Sequence, residues 1–343
     1  MTPPDRHEPI DPSAGDPAAP AIQALGLSKS YGQGPVLAGL DLAVPRGSVF
    51  ALLGPNGAGK TTTIRILSTL ITPDGGQARV AGFDIVSQRR QVRRSISLTG
   101  QYAAVDELQT GAENLRMMGA LAGLPRAAAR RRTDELLSRF DLVEAGHRRV
   151  ATYSGGMRRR LDLAAGLLVP PAVMFLDEPT TGLDPRSRQQ MWQVISDLGS
   201  SGVTVFLTTQ YLEEADRLAD RIAIIDGGRM VAEGTAEQLK HRVAGQRLDL
   251  TLSSRPHFDE VHHRLGSRAG GADRDRLEIS TPIDGGAAAI RALLDELDPG
   301  RTAIDRFAVH SATLDDVFLA LTGHPTRSTG PETPVALKEN ANV

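Results

Sequence analysis

Apolar and polar positions alternate over Ala21–Leu27 and again over Leu37–Val44, with turn signals at Gly32–Pro35 between them and at Pro45–Gly47 after them. A two-residue period punctuated by Gly and Pro predicts short antiparallel strands. Val49–Leu53 is a continuous apolar run. It leads through a Gly-rich loop into a helix from about Thr61. Further on, Arg126–Leu137 reads as a basic helix and Leu161–Leu168 as another. Val173–Leu176 reads as a buried strand, Arg186–Leu198 as a helix, Val203–Thr208 as a strand, Leu212–Leu218 as a helix and Ile222–Asp226 as a strand. Strands alternating with helices predict an α/β sheet.

After about His241 the texture changes. Arg247–Leu252, Arg276–Ser280 and Ala303–Val309 read as strands, Ala287–Leu297 and Leu314–Leu321 as helices, and the Gly/Arg/Asp-rich stretch Gly266–Asp275 as a loop. This predicts a small α+β C-terminal domain. Residues 1–21 hold six prolines and almost no large apolar side chain, and residues 324–343 return to Pro, Thr, Asn and Lys. Both ends are expected to be disordered tails. The expected division is therefore 1–21, 22–242, 243–323 and 324–343, with no internal repeat.

Composition narrows the class. The 343 residues carry 39 basic and 41 acidic side chains, a net charge of −2, with 40% hydrophobic and 23% charged residues. Such a chain is too apolar for disorder and too neutral for a polybasic membrane anchor or a nucleic-acid coat. Aromatic content of 4% disfavours a base-stacking platform. The absence of cysteine excludes a disulfide scaffold, a cysteine-ligated zinc site and a thiol nucleophile. The most apolar window, Ala164–Leu176, contains Pro170 and Pro171 and falls short of the roughly 20 apolar residues a membrane span needs. Met1–Pro20 lacks the basic and apolar regions of a signal peptide. Attachment to a membrane would then come through another chain.

Three motifs carry candidate chemistry. Gly54-Pro55-Asn56-Gly57-Ala58-Gly59-Lys60-Thr61, followed by Thr62, matches the phosphate-binding loop in full, after an apolar strand and before a helix. Glycines let backbone N–H groups turn toward phosphates, and the helix adds its positive end. Lys60 is expected to reach the β- and γ-phosphates and Thr61 to ligate magnesium. Val173–Leu176 runs into Asp177 and Glu178, a pair at a strand's C-terminal edge. Asp177 suits magnesium, and Glu178 suits accepting a proton from attacking water. Tyr153-Ser154-Gly155-Gly156-Met157 precedes an amphipathic helix expected to begin near Arg158, with Ser154 lying 23 residues before Asp177. By itself an SGG triplet is a helix cap. With a phosphate loop upstream it reads as a second anion site.

On these motifs the chain resembles the nucleotide-binding subunit of an ATP-binding cassette (ABC) transporter over about Ile22 to Thr235. The resemblance implies a P-loop NTPase cassette with a RecA-like core, an antiparallel β subdomain and an α-helical subdomain. It implies that Tyr31 stacks on adenine. It implies that Gln101, in Leu98-Thr99-Gly100-Gln101, contacts magnesium and the attacking water and links to the membrane partner. Ser154, Gly155 and Gly156 resemble the signature motif, with Tyr153 and Met157 replacing the commoner Leu and Gln. Gly182-Leu183-Asp184 resembles the loop that crosses the dimer interface. The family usually has a histidine that contacts the γ-phosphate after the strand at Val203–Thr208. Here Gln210 stands in that place, an amide that can donate a hydrogen bond but holds no proton at neutral pH.

Gln210, the YSGGM variant and the late helix Leu314-Asp315-Asp316-Val317-Phe318-Leu319 together resemble the actinobacterial daunorubicin/doxorubicin-resistance type. That likeness implies ATP and Mg2+ as cofactors and a separate multi-span permease as partner. It also implies a homodimer of cassettes, a place on the cytoplasmic face of the membrane, and export of a hydrophobic antibiotic. In the family the region between Gln101 and Ser154 contacts the permease. Here it includes Tyr102–Leu108, Met117–Met118 and Arg126–Arg132, of which Arg130, Arg131 and Arg132 are expected to be a solvated helix face. Three alternatives stay open: a soluble cassette ATPase acting on ribosome or nucleic acid, an importer subunit, and a lipid or polysaccharide exporter subunit. The single cassette and the lack of sustained heptads weigh against the first. His262-His263 is expected to be a surface pair, and the C-terminal domain to dock on its own cassette or on a second copy.

Overall fold

The structure is a computed structural model. It describes residues 19–323 except 33, 102–103, 244–245, 284 and 311–312. Most of both expected tails, and Tyr102 of the expected permease face, lie outside the described residues.

The first layer is an antiparallel sheet. β1 (Ile22–Tyr31) turns tightly into β2 (Gly34–Val44), with Tyr31 paired to Gly34. After β3 (Val49–Leu53) and α1 (Lys60–Leu67), the sheet is completed by β4 (Gly75–Val80) and β5 (Phe83–Asp84), in the order β2-β1-β4-β5. β3 itself enters a second sheet and is buried at every position, as its unbroken apolar run requires.

The chain continues through α2 (Arg89–Ser95), β6 (Ile96–Thr99), α3 (Gly111–Leu121), α4 (Arg126–Arg139), α5 (Gly155–Ala165) and β7 (Val173–Asp177). It then runs through α6 (Pro185–Ser200), β8 (Thr204–Thr209), α7 (Leu212–Leu218), β9 (Arg221–Asp226), β10 (Arg229–Gly234) and α8 (Ala236–Val243). The central sheet has the order β10-β9-β3-β8-β7-β6, parallel except for β10. Phosphate loop and acidic pair thus leave the same C-terminal edge, with β8 between their strands. Phe50 and Phe206 stack at 5.7 Å across β3 and β8, and Phe175 of β7 meets Phe206 edge-on. α3, α4 and α5 pack on one another as a helical subdomain.

The remaining elements are β11 (Gln246–Leu252), α9 (Arg255–Leu265), β12 (Gly271–Asp273), β13 (Glu278–Ile283), α10 (Ala287–Leu297), β14 (Ile304–His310) and α11 (Leu314–Thr322). β12-β13-β11-β14 form an antiparallel sheet that shares a separate core with α9 and α10. The Gly266–Asp275 stretch, expected to be a loop, contains a 3-10 turn at Gly266–Arg268 and the short strand β12. α11 departs from this sheet. Leu314, Val317 and Phe318 are buried in the cassette's core, with α11 against α7, α8 and β10. The segment 243–323 therefore holds a small sheet domain plus a final helix that belongs to the cassette's packing.

Two expectations shift. α5 begins at Gly155 rather than near Arg158 and ends at Ala165, because Ser154 caps it by accepting the Met157 N–H at 3.2 Å. Arg132 is not simply solvated: its guanidinium donates to the Leu167 carbonyl at 3.1 Å as well as to Glu135. His262 and His263 are exposed, His262 stacks on Phe258, and the described residues hold no metal-ligand cluster. No described helix is long and apolar enough to cross a membrane.

Candidate functional site

Gly54 leaves β3 where no side chain fits. A Cβ there would lie 2.4 Å from the Ile225 carbonyl oxygen of β9. Gly59 has φ +104 and caps α1 without a side chain, and a Cβ on it would meet Leu37 and the Val36 carbonyl below 3.0 Å. The loop is thus held against β2 and β9 while the first N–H groups of α1 stay free of any side-chain cap. That arrangement suits an anion.

Val36, Asn56, Gly57, Gly59, Lys60, Thr61, Thr62, Gln101, Glu178 and Gln210 line an open cavity of ≈ 480 Å³. Lys60, only 5% exposed, donates to the carbonyls of Gly54 (2.8 Å) and Pro55 (3.1 Å) and sits 3.6 Å from Glu178. Burial holds its ammonium below the usual lysine range. Glu178 and Asp177 oppose that shift. Asp177 Oδ1 accepts from the hydroxyls of Thr208 (2.7 Å) and Thr61 (3.2 Å). A hydroxyl, a carboxylate and the nearby amide of Gln101 form an all-oxygen donor set that fits a hard divalent cation such as magnesium. Glu178 adopts φ +49, an uncommon conformation for a non-glycine residue, and its N–H is held by Thr208 through the carbonyl (3.1 Å) and the hydroxyl (3.2 Å).

The structure brings the phosphate loop, Gln101, Asp177, Glu178 and Gln210 together. It does not bring in the other candidates. Tyr31 is 48% exposed at the β1–β2 hairpin tip and lies outside the cavity lining, although Val36 of the same hairpin is in it. Ser154 and Gly155 are exposed at the start of α5, and they too lie outside the lining. Gly156 is buried against Ser187, where a Cβ would come within 2.5 Å of its hydroxyl oxygen. Asp184 caps α6, accepting the Ser187 N–H (3.0 Å) and hydroxyl (2.6 Å). These bonds hold its carboxyl below the usual range.

Sequence reasoning missed several supports. Thr208 is one. Glu214 is another: fully buried, it accepts from Thr180 (2.8 Å) and Trp192 (3.2 Å), and burial pushes its pKa up. α3 carried a readable signal, the capping box of Thr110 and Glu113.

Residues 37–181 match the family model described as ABC transporter. The chain is 52% identical to the daunorubicin/doxorubicin resistance ATP-binding protein DrrA of Streptomyces peucetius, over 89% of this chain and 93% of the relative. It is 50% identical to the daunorubicin resistance ATP-binding protein DrrA2 of Streptomyces coeruleorubidus, over 90% and 97%. A solved ATP-binding subunit of an ABC transporter is 29% identical, with a TM-score of 0.58 over 65% of this chain and 92% of that chain. A loop shaped to take phosphates at a sheet edge, and near-full-length similarity to these relatives, lead to one assignment: the chain belongs to the ABC transporter family, as an ATPase subunit coupled to transport that resembles the daunorubicin/doxorubicin-resistance type.

Proposed function

We propose that this chain powers a membrane exporter of a hydrophobic antibiotic such as an anthracycline. Two copies would pair head to tail around ATP and drive a separate multi-span permease from the cytoplasmic face of the membrane. The observation that supports the pairing is that the two half-sites do not share one cavity. The cavity at Asn56–Thr62 has a phosphate loop and a base, whereas Ser154 and Gly155 are exposed outside it. An exposed, serine-capped helix start has free N–H groups to offer to the γ-phosphate in a partner's cavity. The choice of cargo rests on the names of the relatives alone.

Within one half-site, Lys60 turns from the Gly54 and Pro55 carbonyls and Glu178 toward the β- and γ-phosphates. Its charge is then balanced by phosphate, as its burial favours. Thr61 and Asp177, with Gln101, would hold magnesium, which when bound would supply positive charge against the phosphates. Gln101 and Glu178 position the attacking water, and Glu178 accepts its proton. Gln210 donates a neutral amide hydrogen bond to a γ-phosphate oxygen. Tyr31 stacks on the adenine from the hairpin tip, and Asp184 lies on the face toward the second copy. ATP favours the closed pair because only there do both half-sites contact it, which is the differential binding a conformational cycle needs.

The test is co-purification with transport. The chain expressed in its own host should bring down a multi-span membrane protein, and the pair should lower cell accumulation of anthracycline-like dyes. Failure of both would overturn the exporter reading.

A further inference from the structure

Three consecutive arginines follow the Ser154 helix start, and helical geometry sends them to three different places. Arg158 lies toward the surface near Glu107, and Arg160 donates to the Phe140 carbonyl at 3.1 Å and pairs with Asp141. Arg159 is buried. Its Nε donates to the Pro179 carbonyl at 3.1 Å and its Nη2 to the Asp177 carbonyl at 3.3 Å. Its Nη1 donates to the Gly100 carbonyl. One turn on, Asp162 lies 3.8 Å from Arg159, and its Oδ1 accepts the Ala104 N–H at 3.0 Å.

One planar fork thus holds the carbonyls of the residues before and after Glu178 and of the residue before Gln101, while its acidic neighbour holds the Ala104 N–H on the far side of the Gln101 loop. Glu178 needs this help, because its φ of +49 is disfavoured for a side-chain-bearing residue and persists only when the surroundings over-determine it. We propose that Arg159 is a positioning residue, supported by Asp162, which fixes Glu178 and the Gln101 loop in place from the same helix that begins at Ser154. The proposal rests on Glu178 being the base. Movement of α5 when Ser154 engages a nucleotide would then pass directly to the base and to Gln101. Lysine cannot replace the fork, since an ammonium is a point donor without the three fixed directions used here.

The experiment is steady-state and single-turnover ATP hydrolysis by the full-length chain, with unfolding followed in parallel. Arg159→Lys should lower kcat about tenfold and Arg159→Met about a hundredfold, the scale set by roughly 1 Å of misplacement, with KM for ATP within about threefold of wild type. In a Glu178→Gln background, Arg159→Met should lower the residual single-turnover rate by clearly less than the hundredfold seen with the base present, about tenfold at most, because only the Gln101 loop then remains to be positioned. The proposal is overturned if Arg159→Lys or Arg159→Met keeps wild-type kcat while Glu178→Gln is inactive. It is equally overturned if the loss is the same in both backgrounds, or if only KM changes. Wild-type turnover in Glu178→Gln alone would instead remove the base assignment. Should Arg159→Met fail to fold, Arg159→Lys with wild-type unfolding and reduced kcat carries the support.

Discussion

Removing the aromatic ring of Phe318 should destabilise the cassette, although the residue lies more than seventy positions beyond the last strand of the cassette's sheets. Phe318 is 2% exposed and sits in the cassette core beside Leu314 and Val317. A buried Phe→Ala change costs about 3–5 kcal/mol from lost transfer energy plus the cavity left behind. That is a large part of the roughly 5–15 kcal/mol total stability of a domain. Trp192, the chain's one tryptophan, is buried in the same core and hydrogen-bonds to Glu214, so its fluorescence reports cassette unfolding directly. Urea titration of Phe318→Ala should move the Trp192 transition to clearly lower denaturant. Leu319→Ala, at a position 50% exposed, should stay within about 0.5 kcal/mol of wild type. An unchanged transition in Phe318→Ala would refute the placement of α11 in the cassette core. The same packing bears on truncation. Cutting near His241 removes Leu314, Val317 and Phe318, together worth roughly 5–9 kcal/mol of burial at the usual value per side chain. Such a fragment should unfold rather than report whether the sheet domain is dispensable.

Other consequences follow from the site. Gln210 has no proton to exchange near neutrality, so the pH–rate profiles of wild type and Gln210→Ala should have the same shape between about pH 6 and 7; a step present in wild type and lost in the variant would contradict this. Burial holds Lys60 below its ordinary 10.5, and bound phosphates should restore its proton affinity. ATP affinity should therefore fall as pH rises through the lowered value, with proton uptake on binding in that window, measurable by calorimetry in two buffers of different ionisation enthalpy. Gly156→Ala puts a Cβ within 2.5 Å of the Ser187 hydroxyl oxygen and 2.7 Å of its Cβ, so the start of α5 must shift from α6. Hydrolysis should drop at least about tenfold while binding of a fluorescent ATP analogue to the isolated chain stays within about threefold. Equal turnover would show that the start of α5 tolerates the shift.

Much of the site was legible in the sequence, because its chemistry demands fixed residue types at fixed spacing. A phosphate loop needs glycines where backbone contacts leave no space, and Gly54 and Gly59 are such positions. β3 and β7 are legible because strands buried on both faces must be apolar throughout. The start of α5 was displaced because two glycines weaken the helix signal, while the Ser154 cap that restores it depends on one local hydrogen bond. α11 was visible as a helix, but an apolar stripe says that a face is covered and not by what. Arg159 was hidden for a similar reason. Arg158, Arg159 and Arg160 read as one basic run, and only the rotation between successive helix positions separates the surface Arg158 from the buried Arg159 and Arg160. Thr208 and Glu214 carried no spacing signal, since their partners come from other strands and helices.

The central claim is that two copies close around ATP and that Glu178 then opens the pair by hydrolysing it. The most direct measurement is the mass in solution of the full-length Glu178→Gln chain with ATP and magnesium, by light scattering, alongside its turnover. The account predicts a stable dimer that binds ATP and hydrolyses it very slowly, reverting to monomer when Ser154→Arg is added to block the exposed helix start. A chain that stays monomeric with ATP bound, or that turns over at the wild-type rate, would contradict it.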